Sequence, residues 1–178
     1  MSRTRTTDAD ADRGAAGITL PGVILGVGLG GFVDGILLHQ ILQWHHMLTS
    51  TDTDRIGVPY YPADTVHGLR MNTVWDGAFH TFTWLAVLTG LAILYSRVQH
   101  SRGRVWTSPA LWGPILVGWG LFNLVEGIVD HQVLGIHHVR SGPHQPAWDL
   151  GFLALGLVLV LVGLLVRRTA RPFAVAPS

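Results

Sequence analysis

Two segments of the chain carry histidines and carboxylates in the same order and at the same spacing. Residues 26–46 read GVGLGGFVDGILLHQILQWHH, residues 118–138 read GWGLFNLVEGIVDHQVLGIHH, and eleven of the twenty-one positions are identical. Both contain the pattern (D/E)-G-I-x-x-H-Q-x-L-x-x-H-H. Imidazole and carboxylate groups together bind zinc, copper or iron, and a carboxylate also orients a histidine ligand by accepting its second N–H. The repeat therefore predicts a metal site.

The candidate ligands extend beyond the repeated pattern. A weaker second repeat matches the WDGAF of residues 75–79 with the WDLGF of residues 148–152, and it duplicates an aspartate at each helix start. We predict a mono- or dinuclear site between the first three apolar spans. Its leading candidates as ligands or orienting groups are His39, His46, His80, His131, His138, Asp34, Asp76, Glu126 and Asp130. A second tier comprises His45, His137 and Asp149.

An α-helical projection predicts that the polar groups of each segment share one face. At roughly 100° per residue, with Asp34 at zero, His45 falls near 20° and His39 near 140°. The opposite face carries apolar residues, and the second segment repeats the geometry from Glu126. Carboxylates and imidazoles inside a bilayer are costly, so a duplicated set of them indicates function.

Other chemistries remain open beside the metal site. His39 and His131 are suitable axial ligands for a haem shared by two parallel helices. Carboxylate–histidine chains in membranes also relay protons or ions, and a purely structural membrane subunit is the remaining alternative. The chain contains no cysteine, which excludes disulfides, thiolate metal ligands and cysteine nucleophiles. No motif names a substrate, so whether the protein is an enzyme stays undecided.

Composition and hydropathy predict the elements that position these groups. Nearly half of the residues, 48%, are hydrophobic and only 13% are charged, against about 25% charged in soluble domains. Four stretches have the roughly 20 apolar residues that cross a bilayer, namely residues 18–44, 73–95, 109–134 and 148–166. We therefore predict an all-α integral membrane four-helix bundle made of two parallel-repeat helical hairpins. The net charge of +1 argues against a nucleic-acid partner.

Arginine placement predicts the orientation. Nine of the twelve arginines lie in the two terminal segments and in the loop after the second span, which the positive-inside rule assigns to the cytoplasm. We expect a multi-pass protein of the cytoplasmic membrane with the histidine clusters in the outer half of the bilayer. The predicted organisation is a disordered cytoplasmic N-terminal tail (1–16), a transmembrane domain (17–168, repeats at about 18–96 and 109–166) and a cytoplasmic C-terminal tail (169–178).

The motifs GFVDGILLHQILQWHHM and VWDGAFH resemble a bacterial family of predicted four-span membrane proteins of unknown function. The resemblance covers the four spans, residues 22–166. It implies a membrane protein in a lipid bilayer and supplies no activity. Its association with cytochrome oxidase assembly would favour copper, and a homodimer or a membrane-complex partner is compatible with it.

Overall fold

The computed structural model describes residues 8–50, 61–100, 104–105, 107–170 and 173–174. Four long α-helices dominate it: α1 (Asp8–Val33), α2 (Val66–His100), α3 (Ser108–Glu126) and α4 (Gln145–Arg168). Two of them continue directly into π-helical segments, which we name π1 (Asp34–Ile41) and π2 (Gly127–Val133). The resulting spans, Gly17–Ile41, Val66–His100, Ser108–Val133 and Gln145–Arg168, are long and apolar enough to cross a membrane. This confirms the predicted all-α four-helix membrane bundle.

The first helix extends into the segment for which the sequence predicts a disordered tail. Its backbone is helical from Asp8, whereas the first apolar span was predicted to begin at residue 18. Alanine has the highest intrinsic helix propensity, and this stretch is rich in it, which accounts for the longer helix. Residues 1–7 of the predicted tail lie outside the described residues.

The two hairpins pack side by side, and the first helix of each lies in the middle of the bundle. We call these two helices, α1 and α3, the inner helices. α1 contacts α2 and α3, and α4 packs on α3. About half of the apolar window of α1 is buried, and 44% of that of α3, against 11% for α2 and 17% for α4. α2 and α4 therefore form the outer surface that faces lipid.

Glycines bring α1 and α3 into backbone contact. A Cβ atom added at Gly26 would lie 2.0 Å from the carbonyl oxygen of Ile115, and one added at Gly118 would lie 2.1 Å from that of Val23. Gly26 and Gly118 occupy equivalent positions of the repeat, so the contact is the same seen from either helix. Small residues allow such close approach between membrane helices. The two halves are therefore related by a pseudo-two-fold axis that passes through this crossing.

Both inner helices end in the same way, in a manner the sequence did not predict. The Leu42 N–H donates to Leu37 O at 2.8 Å, and the equivalent Leu134 N–H donates to Val129 O at 2.8 Å. The next residues, Gln43 and Gly135, have φ of 50° and 57°. A left-handed residue at this position ends a helix, because the chain turns away while its last carbonyls are still satisfied.

The prediction that the first helix runs to residue 44, with His45 and His46 on its polar face, is therefore wrong. His45–His46 form a short strand, β1, which pairs with β2 (Thr49–Ser50) in an antiparallel hairpin. Both histidines are buried. We call the end of the bundle that carries this hairpin the histidine end.

The opposite end joins the C-terminal segment to the loop between the two halves. Strand β3 (Arg104–Val105) pairs antiparallel with β4 (Phe173–Ala174). This pairing places part of the predicted C-terminal tail beside the loop that precedes α3. Both segments lie on the side that the arginine distribution assigns to the cytoplasm.

Substituting alanine for Gly118 tests the helix crossing. We expect Gly118→Ala to destabilise the bundle by about 1–3 kcal/mol, because the new methyl group meets a backbone carbonyl that cannot rotate away. Thermal unfolding in detergent measures the change. Gly77→Ala on α2 is the matched control, since nothing lies within 4 Å of its added Cβ. Equal unfolding temperatures for the two variants would contradict the crossing.

The left-handed turn after π2 gives a second prediction. Gly135→Ala should cost about 1–2 kcal/mol, because an L-residue is strained at this φ even though the space around it is open. Gly151→Ala, at an equally open helical position in α4, should be neutral or stabilising in the same unfolding assay. A neutral Gly135→Ala would show that the inner helix does not end as described.

Candidate metal centre

The first half of the centre depends on the π-helical turn after α1. Asp34 and His39 are five residues apart, and His39 Nε2 lies 3.2 Å from Asp34 Oδ2. An i→i+5 helix brings residues five apart onto the same side, whereas the α-helical projection placed these two about 140° apart. The hydrogen-bond register changes at Asp34, which brings these two groups closer than the α-helical projection predicted. The other ring nitrogen, His39 Nδ1, lies 3.2 Å from Asp76 Oδ1 on α2.

The second half repeats this arrangement after α3. Glu126 and His131 are again five residues apart, and His131 Nε2 lies 2.9 Å from Glu126 Oε1. His131 Nδ1 lies 3.5 Å from Asp149 Oδ1 on α4. His39 and His131 therefore each lie between a carboxylate of their own span and a carboxylate of the following span.

Two further histidines stack on each other between the halves. The rings of His45 and His137 are nearly parallel, with 4.5 Å between centroids and 5° between planes. His45 Nδ1 donates to Val139 O at 3.0 Å, and His137 Nδ1 donates to Met47 O at 3.2 Å. Each ring thus bonds to the backbone of the opposite half, so the pseudo-two-fold axis passes between them.

The hydrogen bond of His45 decides which of its nitrogens can bind a metal. A carbonyl oxygen only accepts, so Nδ1 of His45 carries the proton and Nε2 keeps its lone pair. Both nitrogens of His137 lie beside oxygens, because its Nε2 is also 3.1 Å from Glu126 Oε1. Burial, followed by the nearby His137, lowers the pKa of His45 well below its usual 6.5. Burial, followed by His131, lowers the pKa of His137 from 6.5 to about 3. Both rings are therefore neutral at physiological pH, which is the form that binds metals.

Six side chains direct ligand atoms into one buried volume between the inner helices. Two sets have ligand atoms within 4.8 Å of one another, namely Asp34 with His39 and His45, and Glu126 with His45 and His137. His131 belongs to the same cluster through Glu126 Oε1. We call His39, His45, His131 and His137 the inner rings, and none of them is more than 2% exposed.

Several atoms of this cluster have no hydrogen-bond partner among the described residues. They are Asp34 Oδ1, Glu126 Oε2, His45 Nε2 and both ring nitrogens of His39 and of His131. The two His39 nitrogens lie near carboxylate oxygens but at angles that form no hydrogen bond. Buried polar atoms are normally satisfied, and a cation is one group that this concentration of unpartnered acceptors could hold.

Two more histidines lie outside the inner rings, and we call them the outer rings. His46 Nδ1 is 2.6 Å from Asp76 Oδ2, and His138 Nδ1 is 2.7 Å from Asp149 Oδ2. The same carboxylates accept the backbone N–H groups that follow, from Met47 at 2.9 Å and Val139 at 3.1 Å. Asp76 and Asp149 are therefore placed to orient histidines, and the second-tier Asp149 is the structural equivalent of the leading candidate Asp76.

Two predicted residues do not join the cluster. His80 Nδ1 donates to Asp76 O of its own helix at 2.7 Å, and its ring lies against Gly35. Asp130 is partly buried on π2 and belongs to neither ligand set. Gln40, which the sequence left without a role, lies 3.4 Å from Asp76 Oδ2 and can donate to it.

The structure therefore alters the ranking of the predicted residues. The second-tier His45 and His137 direct ligand atoms into the cluster, while the leading candidates His46 and His138 lie beside the orienting carboxylates. The predicted location between the first three spans also changes, because α2 and α4 each supply one carboxylate. Both histidines of the H-H pair are repeated in the second half, and this repetition was a reason in the sequence to rank His45 and His137 with His46 and His138.

Comparison with known proteins agrees with this architecture. No curated protein and no solved structure matches the chain. The model of one protein family, described as "Predicted membrane protein (DUF2243)", matches residues 21–170, which include all the groups of the candidate metal centre. With four membrane-spanning helices and most of its length matched, the chain belongs to the DUF2243 family of predicted membrane proteins.

Proposed function

We propose that this protein binds a divalent first-row transition metal between its two halves. The ligands would be Asp34 and Glu126 with Nε2 of the four inner rings, in one shared site or in two adjacent ones. Oxygens of Asp76 and Asp149 lie 3.2 Å and 3.5 Å from Nδ1 of His39 and His131 without forming a hydrogen bond. A small rotation of each ring would let these carboxylates accept Nδ1–H, which leaves Nε2 for the metal. A metal centre between facing helices is a known use of a bundle core.

The proposal rests mainly on one observation, which is that the cluster contains more hydrogen-bond acceptors than protons to satisfy them. Glu126 Oε1 lies 2.9 Å from His131 Nε2 and 3.1 Å from His137 Nε2. When neutral His137 donates Nδ1–H to Met47 O, its Nε2 lone pair faces a carboxylate oxygen. Two acceptors at this distance repel each other unless a proton or a metal ion lies between them. A divalent metal removes this repulsion and also neutralises two buried carboxylates.

The ligand types narrow the choice of metal. Only nitrogen and oxygen ligands are present in the cluster, and the chain has no cysteine. Soft sulfur ligands favour copper(I), whereas imidazole with carboxylate suits zinc, iron or copper(II). We therefore propose zinc, iron or copper(II), used in metal handling or in metal-dependent membrane chemistry.

The geometry favours this proposal over a haem between His39 and His131. The centroid of His39 lies 4.6 Å from that of His45, and the centroid of His131 lies 5.1 Å from that of His137. The stacked rings of His45 and His137 thus occupy the space between the two proposed axial ligands. A proton pathway would use the same carboxylates and rings. It is the alternative function that we would propose if the purified protein holds no metal.

The proposed orientation follows from the arginine distribution. The histidine end would face the outside of the cytoplasmic membrane, and both termini would lie in the cytoplasm. The candidate metal centre would then be in the outer half of the bilayer, within reach of ions from outside the cell.

Metal analysis of the protein, purified gently in detergent without chelators, tests the proposal. We expect stoichiometric metal in the natural chain and its loss in His39→Gln/His131→Gln, which removes one inner ring from each half. His67→Gln/His144→Gln is the matched control, since both of these rings are outside the cluster. Absence of bound metal after reconstitution with zinc, iron(II) and copper(II) in turn would exclude the proposal.

The orienting role of Asp149 gives a separate prediction. Asp149→Asn should weaken metal affinity by about 10–100-fold while leaving the stoichiometry intact, because it orients a ligand without being one. Competition with a chelator of known affinity measures the change. Asp64→Asn, at an exposed position, should have no effect. Loss of a whole equivalent of metal from Asp149→Asn would instead make this carboxylate a ligand.

A further inference from the structure

We propose that the outer rings, His46 and His138, receive metal ions from the aqueous phase at the histidine end and pass them to the inner rings. This inference rests on the proposed metal-binding function and adds the route by which the site is filled. The outer rings would bind the ion transiently and would not be part of the final ligand set.

A shared carboxylate connects each outer ring to an inner one. Asp149 contacts His131 Nδ1 through Oδ1, at 3.5 Å, and His138 Nδ1 through Oδ2, at 2.7 Å. The centroids of these two rings are 6.2 Å apart. In the first half, Asp76 joins His39 to His46 in the same way. An ion leaving an outer ring therefore meets an inner ring after one short step.

The orientation of the outer rings leaves a ligand atom for an incoming ion. Nδ1 of each donates to a carboxylate, so Nε2 is the ring atom that can meet an incoming ion. The outer side chains are also more accessible than the inner ones. His46 is 8% exposed and His138 14%, against 0% for His39 and 1% for His131.

Among the residues that the structure describes, the rest of the bundle offers no comparable route. Between the inner helices, Gly26 and Gly118 bring backbone atoms into contact, which leaves no channel along the axis. The outer surfaces of α2 and α4 carry large exposed apolar side chains and face lipid, which a metal ion does not cross. At the histidine end, by contrast, Asp76 and Asp149 add negative charge that attracts cations.

Duplication of the outer rings supports a function. His46 and His138 are equivalent in the repeat, and each keeps the same bond to an aspartate from the next helix. A purely structural role in one half would not require the same imidazole–carboxylate pair in the other. Two equivalent entry positions suit a cluster to which each half contributes one carboxylate and two inner rings.

The experiment follows metal loading of the metal-free full chain in lipid nanodiscs, with Co²⁺ as the probe. Absorbance reports the loading rate, and elemental analysis gives the final stoichiometry. For His46→Gln/His138→Gln we expect loading to slow by about tenfold or more, because a local concentrating site is lost. The final stoichiometry should equal that of the natural chain. His67→Gln/His144→Gln, which alters two exposed histidines away from the route, should load at the natural rate.

Each other outcome has a definite meaning. An unchanged loading rate in the outer-ring variant overturns the inference, and so does a reduced final stoichiometry, which would make these rings ligands. Failure of the natural chain to bind any of Co²⁺, zinc, iron(II) and copper(II) overturns the proposed function itself, so the two failures are distinguishable. If the double variant does not fold, His138→Gln alone gives the same test, because His138 is the more exposed of the two and its half should load more slowly.

Discussion

Carboxylates and imidazoles in the interior of a membrane bundle have few partners except one another, and that constraint shapes the whole histidine end. In an α-helix, Asp34 and His39 would lie about 140° apart, at the two edges of one broad polar face, and the same holds for Glu126 and His131. The π-helical segments remove this separation, because residues five apart become neighbours. A π-helical turn is less favourable than an α-helical one. Its presence at both equivalent places indicates that pairing the carboxylate with the imidazole stabilises the protein by more than the π-helical turn destabilises it.

The distance between the halves is set elsewhere in the bundle. Contact between Gly26 and Gly118 sets the distance between α1 and α3. The same short distance positions the two halves relative to each other at the histidine end. There it allows His45 and His137 to stack at 4.5 Å while each bonds to the opposite half. The cluster is consequently a property of both halves together, since neither hairpin alone supplies the carbonyl to which its own stacked ring bonds.

Much of this arrangement could be predicted from the sequence, and the rest could not, for a physical reason. Hydropathy predicts four spans, and the repeat predicts two equivalent halves with their polar residues together. The predicted positions of His39 and His45 failed because helical projection assumes one hydrogen-bond register throughout. The side-chain pattern does not predict the change from α-helical to π-helical geometry at Asp34. It also does not predict the left-handed conformation of Gln43, which ends the helix before His45. A left-handed turn was easier to expect at Gly135.

The charge balance of the cluster gives the strongest reason for a cation. Asp34, Glu126, Asp76 and Asp149 are all buried, and within the described residues their ion-pair partners are histidines alone. His45 and His137 are neutral and contribute no compensating charge. Protonating His39 and His131 would offset two of the four negative charges, and Nε2 of His45 would still face the site without a hydrogen-bond partner. A divalent metal would supply the charge and would also give that nitrogen a partner, which a proton on His39 or His131 cannot do.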